Sequence, residues 1–372
     1  MITTIITSGT TSGTTSGTTL GTILGTTSST TTITSIIYDA FTIVISIIID
    51  NNKFFDTSII YKLSGTSKIM KDILVSLSLP IQISLKKLFI DDSIYNAIKY
   101  YRIVTLNVGN KKINLKEIKN LIGVPKLLLS LPQLTELNLS CNQIGPYGAK
   151  SLAKVLGQSH CHMLSHLNLG CIGLNGTKIL VRVLPQCKSL AYLNVCYNKL
   201  GPKGAKFLAK VLPQCQALGY LNLGYNSIRP EGATSLAEVL PKCTSLTRLK
   251  LNMNDIGPKG ATSLAGALGQ AHRTPLTRLS LFSNHIGPDG ATSLAKVLHL
   301  CTSLVHLNLH MNRIGPEGAT SLAEVLIRKQ CSSLVNLNLC YNQIGDVETK
   351  RISEVLSRVT TLIHLDLSYN YI

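Results

Sequence analysis

Tryptophan is absent from this chain of 372 residues, and phenylalanine and tyrosine together make up only 5% of it. A core without large rings has to be built from aliphatic side chains, and leucine is abundant here. Acids are also scarce, with 18 Asp and Glu against 36 Lys and Arg, for a formal net charge of +18. That surplus favours acidic partners and says nothing about fold. No run of Lys and Arg is longer than two residues, which argues against a nucleic-acid partner in spite of the charge. Long apolar runs are missing as well. The longest, Ile36 to Ile49, is interrupted by Asp39 and falls short of a membrane span, so no membrane partner is expected. Neither G-x-S-x-G, H-E-x-x-H nor G-x-x-x-x-G-K-[ST] occurs, and no paired-carboxylate constellation replaces them. The expectation is a non-enzyme with no catalytic residues, no cofactor and no small-molecule substrate. No charged side chain precedes Asp39, so the basic start of a signal peptide and the arginines of a transit peptide are both missing. A cytoplasmic location follows as an expectation.

What is present is repetition. Leu134, Leu164, Leu190, Leu218, Leu246, Leu276, Leu304, Leu334 and Leu362 open successive copies of one pattern, 26 to 30 residues apart. Its clearest copy runs from Leu304 to Leu326 as LVHLNLHMNRIGPEGATSLAEVL. Alternation at Leu307 and Leu309 predicts a short half-buried strand. The Gly315-Pro316 pair breaks the chain, and proline suits the first turn of a helix because it has no N–H to satisfy there. Ala319, Leu322, Ala323 and Leu326 then mark one stripe of a helix. Strands stack about 4.8 Å apart, whereas helices need about 8–10 Å. Stacked units therefore curve into a horseshoe of α/β class, with parallel strands on the concave face and helices on the convex face.

These boundaries divide the chain. Residues 1–35, almost wholly Thr, Ser, Gly and Ile, read as a disordered low-complexity tail. Residues 36–102 read as a poorly defined, partly helical N-terminal segment or cap, with helical spacing from about Ser67 to Tyr101. Residues 103–133 read as a degenerate repeat opening with IVTLNV, and 134–372 as eight full repeats plus a terminal strand.

Two residue types recur at fixed positions and are read as structural. Asn142, Asn198, Asn226, Asn254, Asn284, Asn312, Asn342 and Asn370 fall at one place in each unit, where a buried amide can satisfy backbone groups as the strand turns. The unit from Leu164 has no Asn in register and is two residues short, so an irregularity is expected there. Cys161, Cys187, Cys215, Cys243, Cys301 and Cys331 each stand three residues before the next unit's first Leu, which is the mark of a packing position. All ten cysteines are expected to be free thiols. His160, Cys161 and His162 are too close together to converge on one zinc ion, and no metal site is expected.

The exposed strand positions are the ones that the fold leaves free to vary. One row reads Glu136, His166, Tyr192, Tyr220, Arg248, Arg278, His306, Asn336 and His364. The row beside it is mostly Asn, with Lys250, Ser280 and Asp366 as exceptions, and Phe282 and His310 come further along. Tyr and Arg dominate interface hot spots. Tyr192, Tyr220, Arg248, Lys250, Arg278, Phe282, His306 and His310 are therefore the candidate partner-binding residues.

The segment Asn-x-Ile-Gly-Pro-x-Gly-Ala-x-Ser-Leu-Ala-x-Val-Leu resembles ribonuclease-inhibitor-type leucine-rich repeats. Such repeats occur in ribonuclease inhibitor, in nucleotide-binding leucine-rich-repeat receptors, in Ran GTPase-activating proteins and in some bacterial effectors. The resemblance covers Leu134 to Ile372 and implies a leucine-rich-repeat solenoid that recognises proteins through its strand face. Joined to the charge, it gives a protein with an acidic patch as the expected partner of a non-catalytic interaction module or adaptor. An enzyme regulator of the GTPase-activating type is the alternative that the resemblance implies.

Overall fold

The structure, a computed structural model, describes residues 82–84, 105–107, 134–142, 144–157, 162–270, 275–327, 333–356 and 361–371. All of them lie in one compact unit, Asp56–Ile372. The strands β1 (Gln82–Ser84), β2 (Thr105–Asn107), β3 (Glu136–Asn138), β4 (His166–Asn168), β5 (Tyr192–Asn194) and β6 (Tyr220–Asn222) come first. They are followed by β7 (Arg248–Lys250), β8 (Arg278–Ser280), β9 (His306–Asn308), β10 (Asn336–Asn338) and β11 (His364–Asp366). All eleven form one sheet in chain order, and each neighbour pair that includes β7 or β8 is parallel and in register.

Helices α1 (Gly145–Leu156), α2 (Leu174–Val181), α3 (Gly201–Val211) and α4 (Arg229–Ala237) pack along the other side. They continue as α5 (Gly257–Leu268), α6 (Gly287–Leu298), α7 (Gly315–Ile327) and α8 (Asp346–Leu356). In the unit from Leu246, Leu249 and Leu251 point into the core and meet Ile256, Ala261, Leu264, Ala265 and Leu268 from the helix. The same positions are buried in the units before and after, so one continuous aliphatic core runs through the array. The chain is thus an α/β solenoid with strands and helices on opposite faces.

Two features of the Gly-Pro-x-Gly-Ala segment explain its spelling. Its first Gly takes a left-handed backbone, with φ of 58° at Gly201, 63° at Gly257, 65° at Gly287 and 64° at Gly315. Arg229 stands at this position in its own unit and adopts φ 61°, a conformation that costs a side-chain-bearing residue roughly 1–2 kcal/mol. The second Gly lets helices of adjacent units approach each other. A Cβ on Gly260 would lie 2.6 Å from Ile256 Cγ2 and 2.9 Å from Ala233 Cβ of the preceding unit.

The asparagine ladder ties the units together. Asn254 Nδ2 donates to the carbonyl of Leu223 in the preceding unit at 2.9 Å, and to Leu251 and Asn252 at 2.9 and 3.1 Å. Its Oδ1 accepts from the N–H of Asn226 at 2.9 Å and of Ile228 at 3.3 Å. One buried side chain thus bonds five backbone groups of two successive units, some of them shared with a neighbouring ladder Asn. In the unit from Leu164, Ile172 stands where the other units have Asn. The chain there enters α2 through Gly173 at φ 84°, and the N–H groups of Ile172 and Gly173 both donate to Asn198 Oδ1. The irregularity expected in that unit is therefore a different helix entry: the next unit's Asn takes its two N–H groups from adjacent residues, where a regular unit offers two that stand two residues apart.

The segment read from spacing as helical between Ser67 and Tyr101 contains a strand, β1, which pairs with β2. Three residues of sheet edge leave too short a period to be seen against an apolar background. The helical stretches expected on either side of β1, the low-complexity tail 1–35 and most of 36–133 lie outside the described residues.

Candidate functional site

Strand residues alternate between the core and the open face. The exposed rows of β6 to β11 bound a concave hollow of about 710 Å3. Its lining includes Tyr220, Arg248, Lys250, Arg278 and His306, five of the eight candidate residues. The backbone register sets their order: Tyr220 pairs with Arg248, Arg248 with Arg278, and Arg278 with His306. Arg248, Lys250 and Arg278 are exposed, and no carboxylate among the described residues pairs with them.

The other three candidates sit beside the hollow. Tyr192 lies outside its lining but stacks on Tyr220, with ring centroids 4.3 Å apart, and His166 extends that stack at 5.4 Å. Lys250 Nζ lies 5.8 Å from the Tyr220 centroid, within cation–π range. Burial pushes the phenol pKa of both Tyr192 and Tyr220 upward. Phe282 and His310 make an edge contact at 4.9 Å in a separate row, which continues to Tyr341 and Tyr369. The eight residues therefore form two lanes, one basic and one aromatic.

Burial and the guanidinium groups of Arg278 and Arg248 hold the His306 imidazolium below its ordinary pKa, with His364 adding to the effect. Asp366 also lines the hollow. A hydrogen bond from Ser368 keeps its carboxyl below the usual range, and Asn338 Nδ2 donates to it at 2.9 Å. Sequence reasoning noted Asp366 as an exception in its row but not as a neighbour of the cations. Asn336, Asn338 and His364 complete this side of the hollow and were also not singled out. Their signal lay in the same two rows of the sequence pattern.

The row of strand asparagines has a structural task. Asn194 Oδ1 accepts from the N–H of Cys196, Asn222 Oδ1 from Gly224 and Asn308 Oδ1 from His310, at 2.9–3.0 Å. Asn138, Asn168 and Asn338 do the same, and Asp366 does so through its carboxylate. Lys250 and Ser280 make no such bond. Next to them Asn252 Oδ1 is buried without a hydrogen-bond partner. Both departures fall on adjacent strands, and those strands carry Arg248 and Arg278.

Among the described residues no group of three His, Cys, Asp or Glu is arranged to hold a metal ion, and no helix is long and apolar enough to cross a membrane. The eight described cysteines are free thiols. Cys187, Cys215, Cys243 and Cys301 each lean their thiol toward the carbonyl four residues earlier, as a repeated packing position would. Cys161 and Cys331 lie outside the described residues, as does His160.

Comparison with known proteins picks out six repeats, those that open at Leu134, Leu190, Leu218, Leu246, Leu276 and Leu304, and passes over the irregular unit from Leu164. Residues 131–153, 186–209, 214–237, 242–265, 272–295 and 300–323 match the family model described as Leucine Rich repeat. With its sheet order and convex helices, the chain is a leucine-rich-repeat solenoid of α/β class. Among solved structures it is similar to an internalin from Listeria monocytogenes str. 4b F2365, at 20% identity over 84% of this chain and 87% of that one, with a TM-score of 0.48. It is also similar to the leucine-rich repeat-containing protein LegL7 from Legionella pneumophila, at 18% identity over 77% and 89%, with a TM-score of 0.49. A third similar structure is the yeast Rad7 and Elc1 complex, at 15% identity over 92% and 88%, with a TM-score of 0.41. No curated protein matches the chain.

Proposed function

We propose that this solenoid is a non-catalytic interaction module of the ribonuclease-inhibitor type, which binds an acidic protein segment on its concave strand face. The observation that carries this reading is the unpaired cluster of Arg248, Lys250 and Arg278 inside the hollow. Curved repeat arrays offer extended concave surfaces of this kind to partners. Tyr192 and Tyr220 supply rigid apolar area beside the charges, and Phe282, His306 and His310 extend the surface toward β9. The charges speed encounter with an acidic partner, and the buried rings slow its departure. An adaptor working in the cytoplasm fits these features.

The test is affinity capture with the whole chain beside the R248E/R278E variant, followed by identification and titration of the proteins that bind. Reversal of both charges should weaken binding by at least about 2 kcal/mol. Folding should stay within about 0.5 kcal/mol, because both side chains face solvent. A variant that melts normally and binds the same proteins at full strength would remove the hollow as the site.

A further inference from the structure

Arg248 and Arg278 occupy paired positions on adjacent strands, and His306 follows in the same row. Lys250 stands two residues along β7 and so projects from the same face as Arg248. Neighbouring strands lie about 4.8 Å apart, so both guanidinium groups can reach one small target. The hollow's own acid, Asp366, is on β11, three strands from β8, and is held by Asn338 and Ser368. Three fixed positive charges thus face one space without an internal counter-ion.

A partner carboxylate would bring a single negative charge to that space. A phosphate monoester brings nearly two, along with three strong acceptor oxygens. Guanidinium forks bind such oxygens in bidentate fashion, and an ammonium group adds a point charge. We infer that the hollow seats a phosphate monoester carried by the protein partner, bridged by Arg248 and Arg278 with Lys250 and His306 as further donors. The inference rests on the proposal that the strand face binds protein.

His306 gives the arrangement a pH signature. Arg278 and Arg248 bear on it from β8 and β7 and His364 from β11, while Lys250, Asn336 and Asp366 line the same hollow. Burial and the cations of the hollow disfavour the imidazolium, and an arriving dianion reverses that field. The ring then takes up a proton as phosphate binds, so affinity rises as pH falls from about 8 toward 6.5, the ordinary imidazole range. A phosphate on a single-stranded nucleic acid fits less well. Tyr192 already stacks on Tyr220 at 4.3 Å, and Tyr197 on Tyr225 at 4.0 Å, which leaves no gap for a base between rings.

Phenyl phosphate and benzoate test the anion directly, since they carry the two charge types on the same ring. Calorimetric titration of the whole chain at matched ionic strength should show one site, with phenyl phosphate at least about tenfold tighter than benzoate. Each of Arg248→Ala and Arg278→Ala should weaken phenyl phosphate by at least about tenfold. Lys210→Ala, on the exposed side of α3, should leave it unchanged. Proton uptake should appear as a dependence of the heat on buffer, and His306→Ala should abolish it. Equal affinity for the two anions would overturn the inference. So would tighter binding of a single-stranded RNA oligonucleotide, or of vesicles containing a phosphoinositide, than of a phosphothreonine peptide. Phosphatase treatment of a captured partner separates this inference from the one beneath it. Capture that survives phosphatase but is lost in R248E/R278E removes the phosphate and keeps the protein-binding face. Capture indifferent to both removes the face itself.

Discussion

Strands β5 and β6 differ from β7 and β8 at few positions, and those positions separate what the fold requires from what it tolerates. All four strands bury the same leucine pair, at Leu193 and Val195, Leu221 and Leu223, Leu249 and Leu251, and Leu279 and Leu281, with Val195 the one conservative exception. All four are followed by a ladder asparagine that is fully buried. On the open face they part. β5 and β6 present Tyr with Asn, and each Asn closes a backbone N–H two residues on. β7 and β8 present Arg with Lys or Ser and give up that bond. The molecule therefore carries its own control, because neighbouring units of one array show the same backbone with and without the basic residues. What the difference teaches is that the strand backbone and its core contacts are built equally well with Tyr and Asn on the open face as with Arg248, Lys250, Arg278 and Ser280.

The core should not notice this comparison. Leu249→Ala and Leu193→Ala should each destabilise the protein by about 2–5 kcal/mol, measured by denaturant unfolding. A clearly smaller value on β7 would mean that β7 also differs below the sheet. Leu365→Ala should cost less than either, since the leucines of β11 are only half-buried.

Partner binding should notice it strongly. Tyr220→Ala should weaken binding by about 2 kcal/mol, because Tyr220 lines the hollow and lies beside Lys250. Tyr192→Ala, one strand further out, should weaken it by less than about 1 kcal/mol, the scale of a lost ring stack. The reverse order would move the site toward β5.

The smallest effect concerns the helix entries. The unit of β6 has Arg229 at the left-handed position where the unit of β7 has Gly257. Arg229→Gly should stabilise the protein by about 0.5–1 kcal/mol, the steric relief less the added chain entropy. A loss of stability would show that the Arg229 side chain makes a contact worth more than its backbone strain.

Much of this was legible in the sequence because a repeat writes each structural demand many times. The leucine register, the helix stripe and the ladder asparagines all follow from counting, and the structure places them as the counting implies. The candidate residues were legible as departures from the repeat, at Arg248, Lys250 and Arg278. Their grouping in one hollow required the register of the sheet. The rest was hidden for physical reasons. Asp366, Asn338 and His364 lie two to four strands away from the arginines, and only curvature brings them to the same space. Strand β1 belongs to a segment where Ile and Leu occur at both helical and strand spacing, so its three residues had no pattern of their own. The left-handed backbone at Tyr197, Tyr225, Met253 and Met311 is carried by residues that rarely adopt it. A turn repeated in every unit imposes it, whatever side chain is present.

The central claim is that β7 and β8 give up stability for binding at Lys250 and Ser280. The K250N/S280N variant restores the residue that the other strands carry and so tests the claim in one experiment. Each new Asn should close the free N–H two residues on, a bond worth about 0.5–1.5 kcal/mol. The melting temperature should rise by about 2–4 °C for each kcal/mol gained. Affinity for the captured partner should fall in the same protein. A variant that melts no higher than the parent, or that binds its partner at full strength, would contradict the account.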